Sequence, residues 1–329
     1  MYAFIDSFNH LRFTQRVLIF KNNTLKDPWC SISICLKRIF KLQEGGHLKF
    51  NSAELLEGAR TPEIITDPLR TYISEARFFK NLVLTDISKL SRGSYLIEVG
   101  SGIGLLSLHL ASLGFEVTAF EPQSSGFNQM NEMRSLISEN WIPPVPKVDF
   151  REAILEQESK LEKLADYIFA INVIEHVHDY EDLIAQAIKA KTQNATFRII
   201  CPNYSIPYEP HFNIPIVFNK AITKLIFGNK IRNSKIPNSE EFWGDLSWPT
   251  QRGLRRLLKM NGWSVEFSHD ATCEYLNRAL TDFDFIARKG LFFGTLFRMI
   301  AQLTKAVRFV PFSLLPIIDC RITNTSQAK

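Results

Sequence analysis

Three glycines and a carboxylate lie close together in residues 95–104, which read Tyr-Leu-Ile-Glu-Val-Gly-Ser-Gly-Ile-Gly. Gly100, Gly102 and Gly104 permit a tight turn and let a ligand approach bare backbone. A glycine turn that joins a buried strand to a helix is typical of nucleotide-binding loops. The stretch therefore predicts such a loop, and its neighbours must identify the ligand.

Glu98 and Leu105 distinguish between the ligands that such loops bind. Glu98 lies two residues before the first glycine, where its carboxylate would repel a pyrophosphate and attract a cationic amino group. A dinucleotide loop of the G-x-G-x-x-G form needs a glycine at position 105, where this chain has leucine. Both features favour S-adenosylmethionine over a dinucleotide, and Ser101 is included among the predicted cofactor contacts.

A second carboxylate, Glu121, follows the next predicted strand, 115–120. At a strand end it can accept hydrogen bonds from both hydroxyls of a ribose. Pro122 then turns the chain away and is assigned to the same site. An acid here could instead begin the next helix, although Ser124 or Ser125 is the better cap.

Three motifs together carry a family resemblance: Glu-Val-Gly-Ser-Gly-Ile-Gly at 98–104, Phe-Glu-Pro at 120–122 and Asn-Val-Ile-Glu-His-Val-His-Asp at 172–179. They resemble the class I S-adenosylmethionine-dependent methyltransferases over roughly residues 70–290. The third motif is similar to a segment of the ubiquinone-biosynthesis O-methyltransferases and their bacterial relatives.

The resemblance implies a role for several residues. Glu98 would meet the amino or carboxylate end of the cofactor, Glu121 the ribose, and Asn172 the methionine portion. Glu152 or Ala153, just after the third predicted strand, would lie near the adenine, although the glycine-aspartate pair usual in the family is absent there. The implied activity is O-methylation of a small or lipid-like acceptor. The alternatives are N-methylation, a nicotinamide-dependent oxidoreductase and a non-catalytic cofactor-binding scaffold.

Two histidines, His176 and His178, follow the fourth predicted strand at the rim where acceptor and cofactor should meet. His176 is a candidate general base, because the pKa of an unperturbed histidine lies near neutrality. It could equally brace the start of a helix. A metal ion on His176 and His178 is a third interpretation, but residues two apart on a helix point to different sides. No metal is predicted.

Residues 202–213 come directly after the fifth predicted strand and concentrate aromatic and ionisable side chains. Prolines at 202, 207 and 210 hold this backbone extended. Tyr208 and His211 are therefore predicted to act on the acceptor together with His176. The alternative is a structural loop whose aromatic residues cover the edge of the sheet.

Short apolar runs alternate with amphipathic stretches from residue 66 to residue 290, which predicts parallel βαβ units. We expect an α/β fold with a Rossmann-like, seven-stranded, mostly parallel sheet, helices on both faces and helical extensions at both ends. The predicted strands are 94–99, 115–120, 147–150, 166–171, 195–201, 263–267 and 282–287, with helices at 67–90 and 249–260. Residues 1–65 and 291–329 are the predicted extensions, and 202–248 form an insertion that serves the acceptor.

Charge and cysteine usage exclude other classes of protein. The net charge of +5 comes from 39 basic and 34 acidic residues, which is too mild and too mixed for a nucleic-acid-binding protein. The five cysteines include no C-x-x-C pair, so neither a disulfide framework nor a zinc ribbon is predicted and a cytoplasmic location fits. No apolar stretch is long enough to span a bilayer.

Two segments have the composition of membrane-surface helices. Residues 291–308 predict a basic amphipathic helix, whose apolar face must pack against the N-terminal extension, a second subunit or an anionic membrane. Residues 212–227 in the insertion are similarly apolar and flanked by basic residues. Peripheral contact with an anionic membrane is therefore predicted, with a small-molecule or lipid-linked acceptor as the partner.

Overall fold

The computed structural model describes residues 62–122, 134, 147–157, 161–234, 236, 238–281, 299 and 304–323. The predicted N-terminal extension lies outside the described residues apart from 62–65, which begin the first helix. The predicted strand at 282–287 and most of the predicted helix at 291–308 also lie outside them.

The described helices and strands alternate through the first half of the chain. The helices are α1 (Pro62–Ile87), α2 (Leu105–Ser112), α3 (Tyr180–Ala190), α4 (Lys220–Arg232), α5 (Ser239–Asp245), α6 (Gln251–Met260) and α7 (Asp270–Thr281). The strands are β1 (Tyr95–Val99), β2 (Glu116–Phe120), β3 (Val148–Arg151), β4 (Ala165–Ile171), β5 (Lys191–Pro202), β6 (Tyr208–Glu209), β7 (Ile214–Pro215), β8 (Ser264–Phe267) and β9 (Ile317–Thr323).

Seven of these strands form one sheet in the order β3-β2-β1-β4-β5-β9-β8. Strands β1 to β5 pair in parallel, and β9 runs antiparallel to both β5 and β8. Every residue of β1 is buried, as expected for a strand at the centre of a sheet that is covered on both faces. The predicted Rossmann-like, mostly parallel sheet is confirmed.

The position of β9 corrects the predicted end of the sheet. The sequence predicted that every residue after 290 lies outside it, whereas β9 lies between β5 and β8. Its two charged residues concealed it, and both are paired in the structure. Asp319 accepts two hydrogen bonds from the Arg198 guanidinium of β5, at 3.0 and 2.9 Å, and Arg321 donates to Asp86 at 2.9 Å. The domain therefore extends at least to residue 323, and a truncation at 290 would remove a strand from inside the sheet.

The core lies on both faces of the sheet, because successive residues of a strand point to opposite sides. On one face, Ile97 belongs to a buried cluster with Leu183 of α3 and Leu254 of α6. On the other face, Leu96 belongs to a cluster with Val83 of α1 and with residues of α2 and α7. The predicted helices on both faces are confirmed.

The insertion 202–248 forms a small unit with a core of its own. Strands β6 and β7 make a hairpin, and helices α4 and α5 follow it. The buried residues of this core are Phe212, Ile214, Ile231, Trp243 and Leu246. Ser247 ties the unit to the main sheet, because its backbone N–H donates to the Glu175 carbonyl at 2.7 Å.

Of the predicted C-terminal amphipathic helix, residue 299 is α-helical and residues 304–308 belong to a 3-10 helix, Thr304–Phe309. Its Val307 is buried against Leu276 and Leu315. None of the helices described by the structure is both long and apolar enough to cross a membrane.

Candidate active site

The glycine loop between β1 and α2 is fixed by backbone hydrogen bonds to the end of β2. The N–H groups of Gly100 and Ser101 both donate to the Phe120 carbonyl, at 2.8 and 2.9 Å. Gly100, Gly102 and Gly104 all have positive φ, at 71°, 53° and 75°. The loop therefore turns in a conformation that residues with a side chain rarely adopt.

Two side chains close over the loop and leave no room for a Cβ atom. A Cβ on Gly100 would overlap the side chain of Val173, and one on Gly104 would overlap the ring of Phe150. Val173 follows β4 and Phe150 lies in β3, so the loop is enclosed by the neighbouring strands. The Ser101 hydroxyl is buried here and has no hydrogen-bond partner among the described residues. It is therefore free to meet a ligand.

The Glu98 carboxyl group is buried at the end of β1 and accepts a hydrogen bond from the Ser107 hydroxyl. Burial raises its pKa to about 8, and the charge of Glu121 adds to this effect. Near neutral pH the group is therefore largely protonated without a ligand, whereas the sequence predicted a free anion. A cation bound beside it would favour the ionised form.

The Glu121 carboxylate reaches back over the loop and accepts a hydrogen bond from the Gly102 N–H at 2.7 Å. Burial raises its pKa, although the hydrogen bond from Gly102 opposes the shift. Pro122, the next residue, is exposed. Glu98 and Glu121 thus belong to one site, since the charge of one acts on the other across the loop.

Arg134 completes this charged group, and the sequence motifs gave no sign of it. Its guanidinium donates to the Gly102 carbonyl and lies over the Phe150 ring, 5.0 Å from the centroid. Burial lowers its pKa, while the charges of Glu121, Glu152 and Glu98 raise it. Arg134 therefore brings the predicted adenine-side residue Glu152 into the same electrostatic group. Glu152 is exposed, and Ala153 beside it is half-buried.

Helix α1 contributes two further residues that the motifs did not reveal. A Cβ placed on Gly102 would lie 3.7 Å from Tyr72 Cε1, so the phenol ring lies against the loop. Burial raises the pKa of Tyr72, and the charges of Glu75 and Glu121 add to it. The charge of Glu75 also raises the pKa of His211 beyond the loop, so α1 links the two halves of the site.

Asn172 takes the left-handed conformation, with φ at 53°, immediately after β4. Its N–H donates to the Ile200 carbonyl of β5 at 2.8 Å. This turn places Val173 over Gly100 and begins the 3-10 helix Ile174–His176. Asn172 is therefore beside the loop, as the resemblance implied, and its contact with the cofactor stays a prediction.

The side chain of Glu175 is fully buried, and neither of its carboxylate oxygens accepts a hydrogen bond from a described residue. Burial raises its pKa to about 7, and the positive charge of His211 opposes this rise. His176 Nε2 lies 3.9 Å from one of its oxygens. The group is therefore poised between its neutral and charged forms near physiological pH.

His176 has a pKa quite different from the one predicted. Burial and the positive charge of His211 lower it to about 3, far from the near-neutral value expected of a general base. Its ring packs against the rings of His211 and Phe242, with centroids 5.0 and 5.1 Å away. A neutral, packed imidazole fits the bracing role that the sequence also allowed. His178 is exposed and lies outside this cluster of rings.

His211 is held by a carboxylate. Its Nδ1 lies 2.6 Å from Glu209 Oε1, and the other oxygen of Glu209 accepts from the Phe212 N–H at 2.7 Å. Burial alone would lower the pKa of His211, but the hydrogen bond and charge of Glu209 outweigh it and raise the pKa. Because the carboxylate accepts at Nδ1, the proton of the neutral ring lies there and Nε2 is free to accept.

Tyr208 lies on the same hairpin, and its hydroxyl donates to Asn213 Oδ1 at 2.7 Å. Burial raises its pKa to about 12, and the charge of Glu209 adds to the rise. The phenol is therefore neutral at physiological pH, is not a base, and holds its proton on Asn213. Its predicted part in catalysis is untested.

Glu175, His176 and His211 each offer one ligand atom, and these atoms lie within 4.8 Å of one another. The grouping differs from the His176 and His178 pair considered from the sequence. It is a set of groups that could converge on an ion, and the predicted absence of a metal stays a prediction.

A family model described as a methyltransferase domain matches residues 74–267. The chain therefore belongs to the methyltransferase-domain family. The resemblance to class I S-adenosylmethionine-dependent methyltransferases is confirmed, and S-adenosylmethionine is the cofactor that this family uses. The nicotinamide-dependent alternative considered from the sequence is wrong.

Similarity to individual proteins extends over different shares of the chain. It is 32% identical over 265 residues to the uncharacterized protein Rv1509 of Mycobacterium tuberculosis (strain ATCC 25618 / H37Rv), covering 76% of this chain and 85% of that protein. It is 32% identical over 115 residues to the ubiquinone biosynthesis O-methyltransferase of Rickettsia conorii (strain ATCC VR-613 / Malish 7), covering 35% of each. The solved structure of the plantazolicin methyltransferase BamL has a TM-score of 0.45 and 13% identity, covering 90% of this chain and 98% of that one.

Proposed function

We propose that this methyltransferase acts on a hydroxyl group of a small or lipid-like acceptor, with His211 as the general base. The observation that carries the proposal is the Glu209–His211 pair, 2.6 Å apart, whose histidine packs against His176, three residues after the Val173 side chain that covers Gly100. The similarity to an O-methyltransferase of ubiquinone biosynthesis over 115 residues supports a hydroxyl on a lipid-like molecule.

The residues around the loop suit S-adenosylmethionine. Gly100 and Gly104 allow the close-packed loop that exposes bare backbone to a ligand, and the buried Ser101 hydroxyl has no hydrogen-bond partner in the part of the chain that the structure describes. Glu121 would hold the ribose hydroxyls, and Glu98 would face the amino end and become ionised there. Arg134 lies among these carboxylates and would neutralise their mutual repulsion before the cofactor enters.

The bound cofactor supplies a methyl group that is already electrophilic. The protein has to align the acceptor oxygen with that methyl and remove the proton of the hydroxyl. His211 Nε2 is the free nitrogen for this proton, while Glu209 stabilises the imidazolium that forms. Burial raises the pKa of Glu175 to about 7. In its protonated form Glu175 therefore places no negative charge beside the His211 ring.

His176 has a supporting role in this proposal. A ring whose pKa is lowered to about 3 is a poor proton acceptor at neutral pH. It packs against His211 and Phe242 and fixes the plane of the base. Tyr208, also on the hairpin, donates its one hydroxyl proton to Asn213, so its oxygen would accept a hydrogen bond from the acceptor.

A labelling screen tests the acceptor class. The enzyme is incubated with S-adenosylmethionine carrying a tritiated methyl group and with phenols, sugars, prenylated hydroxyl lipids and matched amines. We expect label to enter hydroxyl compounds and to be lost with His211→Ala. Label that enters only amines would make the chain an N-methyltransferase. Binding of S-adenosylhomocysteine without transfer to any compound would favour a cofactor-binding scaffold.

A further inference from the structure

The insertion presents a strip of large apolar side chains to solvent. Phe218 is 92% exposed and Leu225 is 84% exposed, and Ile222 and Ile226 are exposed beside them. Ile222, Leu225 and Ile226 follow helical spacing, so they share one face of α4, and Phe218 immediately precedes that helix. We call these four residues the apolar strip. Contiguous exposed apolar surface of this kind marks an interaction site more often than chance.

The opposite face of α4 is already used by the core of the insertion. Thr223 and Ile231 are fully buried, and Phe227 packs against the cluster that contains Phe212 and Trp243. Helix α4 therefore has two apolar faces. Packing within the insertion buries only one of them.

The charge around the strip is predominantly positive, although Lys224 lies 3.6 Å from Glu240 of α5. Residues 210–238 contain no aspartate or glutamate, and their basic residues other than histidine are Lys220, Lys224, Lys230, Arg232 and Lys235. At 3.6 residues per turn, Lys230 and Arg232 lie on either side of the strip. Both are exposed and hydrogen-bond to neutral oxygens, those of Asn213 and Asn229. Their charges are therefore available to an anionic surface.

We propose that the apolar strip inserts into the surface of an anionic lipid bilayer, with Lys230 and Arg232 at the level of the headgroups. Apolar residues on one helical face, flanked by basic residues such as Lys230 and Arg232, are the features that bind a helix in the plane of such a surface. A second copy of the chain would bring the same positive charges together and suits the strip less well.

The position of the strip relates membrane contact to catalysis. This step alone rests on the proposed function. Lys230 donates to the Asn213 carbonyl, two residues beyond His211 on the same hairpin. Docking of α4 would therefore hold the proposed base close to the membrane, where a lipid-linked acceptor is found.

Flotation with vesicles tests the proposal on the full chain. Wild-type protein is compared with the double variant Phe218→Ser/Leu225→Ser on vesicles of equal parts phosphatidylglycerol and phosphatidylcholine. The matched control is Phe309→Ser/Leu314→Ser, since these residues are 89% and 60% exposed and lie outside the insertion. We expect the strip variant to lose about tenfold or more of its partition coefficient and the control to match wild type. Wild-type binding should weaken in high salt and on pure phosphatidylcholine.

Several results would overturn the proposal: no binding by wild type, undiminished binding by the strip variant, or equal losses in both variants. Sedimentation velocity covers the remaining possibility, because a wild-type dimer that the strip variant converts to monomer, without vesicle binding, would make the strip an interface between copies. Titration with S-adenosylhomocysteine is run on each protein. If wild-type protein does not bind S-adenosylhomocysteine, the cofactor site is contradicted, whereas the conclusion from the vesicle experiment is unaffected.

Discussion

The cofactor loop and the insertion are built in different ways. At the loop, backbone geometry does the positioning: Gly100 and Ser101 are tied to the Phe120 carbonyl, and no side chain fits at Gly100. In the insertion, His211 is positioned by side chains that come from separate segments, namely Glu209, His176 and Phe242. The first arrangement suits a ligand that a whole family shares. The second can change residue by residue, as an acceptor site must when substrates differ.

The comparison predicts that the two regions can be damaged independently. Changes at the loop should weaken cofactor binding and leave the chemical step intact at saturation. Changes in the insertion should slow the chemical step and leave cofactor binding intact.

The largest effect is expected from His211→Ala. Loss of a general base lowers kcat by a factor of about 10² to 10⁴. Because His211 belongs to the insertion, the affinity for S-adenosylhomocysteine should stay within a factor of about two. Steady-state kinetics and calorimetric titration measure the two quantities on the same preparation. His176→Ala is the control, since a supporting ring should cost less than the base; an equal or greater loss there would reverse the two roles.

The pH dependence of the wild type sharpens this assignment. Glu209 raises the pKa of His211, so the free base is lost as the pH falls through that raised value. We expect kcat/KM to fall on the acid side with an inflection above the ordinary histidine pKa of about 6.5. Glu209→Gln should move the inflection to lower pH. An unchanged profile would show that Glu209 does not set the pKa of the general base.

Glu121→Ala is expected to have the next largest effect. The lost hydrogen bonds to the ribose involve a charged acceptor, and two of them are worth about 3 kcal/mol, or about 100-fold in the affinity for S-adenosylhomocysteine. kcat at saturating cofactor should change little. Glu116→Ala, on the exposed first residue of the strand that precedes Glu121, is the matched control and should bind as wild type. Equal affinities of the two variants would remove Glu121 from the ribose site.

Glu98 should make cofactor binding depend on pH. Its pKa of about 8 in the free protein means that a bound cation releases a proton from it at neutral pH. Affinity should therefore rise by up to about tenfold per pH unit below 8 and level off above it. Titrations in buffers of different ionisation enthalpy would detect the released proton. Glu98→Gln should flatten the profile, and a flat wild-type profile would show that the amino group binds elsewhere.

The cofactor loop could be predicted from sequence because its information is local. Glu98, the three glycines and Glu121 lie within 24 residues, and two adjacent parallel strands bring their ends together. The parallel pairing of the first five strands was predicted from the same alternation. Arg134 and Tyr72 were missed because neither belongs to a recognisable motif, and the site acquires them only through packing.

The last strand and the acceptor side could not be predicted because their partners are distant. Asp319 and Arg321 make β9 look polar until Arg198 and Asp86 are seen beside them. The low pKa of His176 likewise depends on the insertion folding over it, which places His211 against its ring. Residue types identified the histidines as candidates, and long-range packing determined which of them can accept a proton.

The smallest effect is expected from removal of metal ions. Glu175, His176 and His211 could converge on an ion, but burial raises the pKa of Glu175 to about 7 and favours its neutral form, which is a poor ligand. His211 also uses Nδ1 to hold Glu209. Turnover after dialysis against EDTA should therefore stay within a factor of about two of the untreated enzyme. Turnover by the Glu175→Gln variant should stay within the same factor of wild type. If EDTA abolished turnover and Mg²⁺ or Zn²⁺ restored it, the site would be a metal centre and His211 would not be the general base. The insertion would then be joined to the end of β4 through an ion, and the contrast between a fixed loop and an adaptable acceptor side would no longer hold.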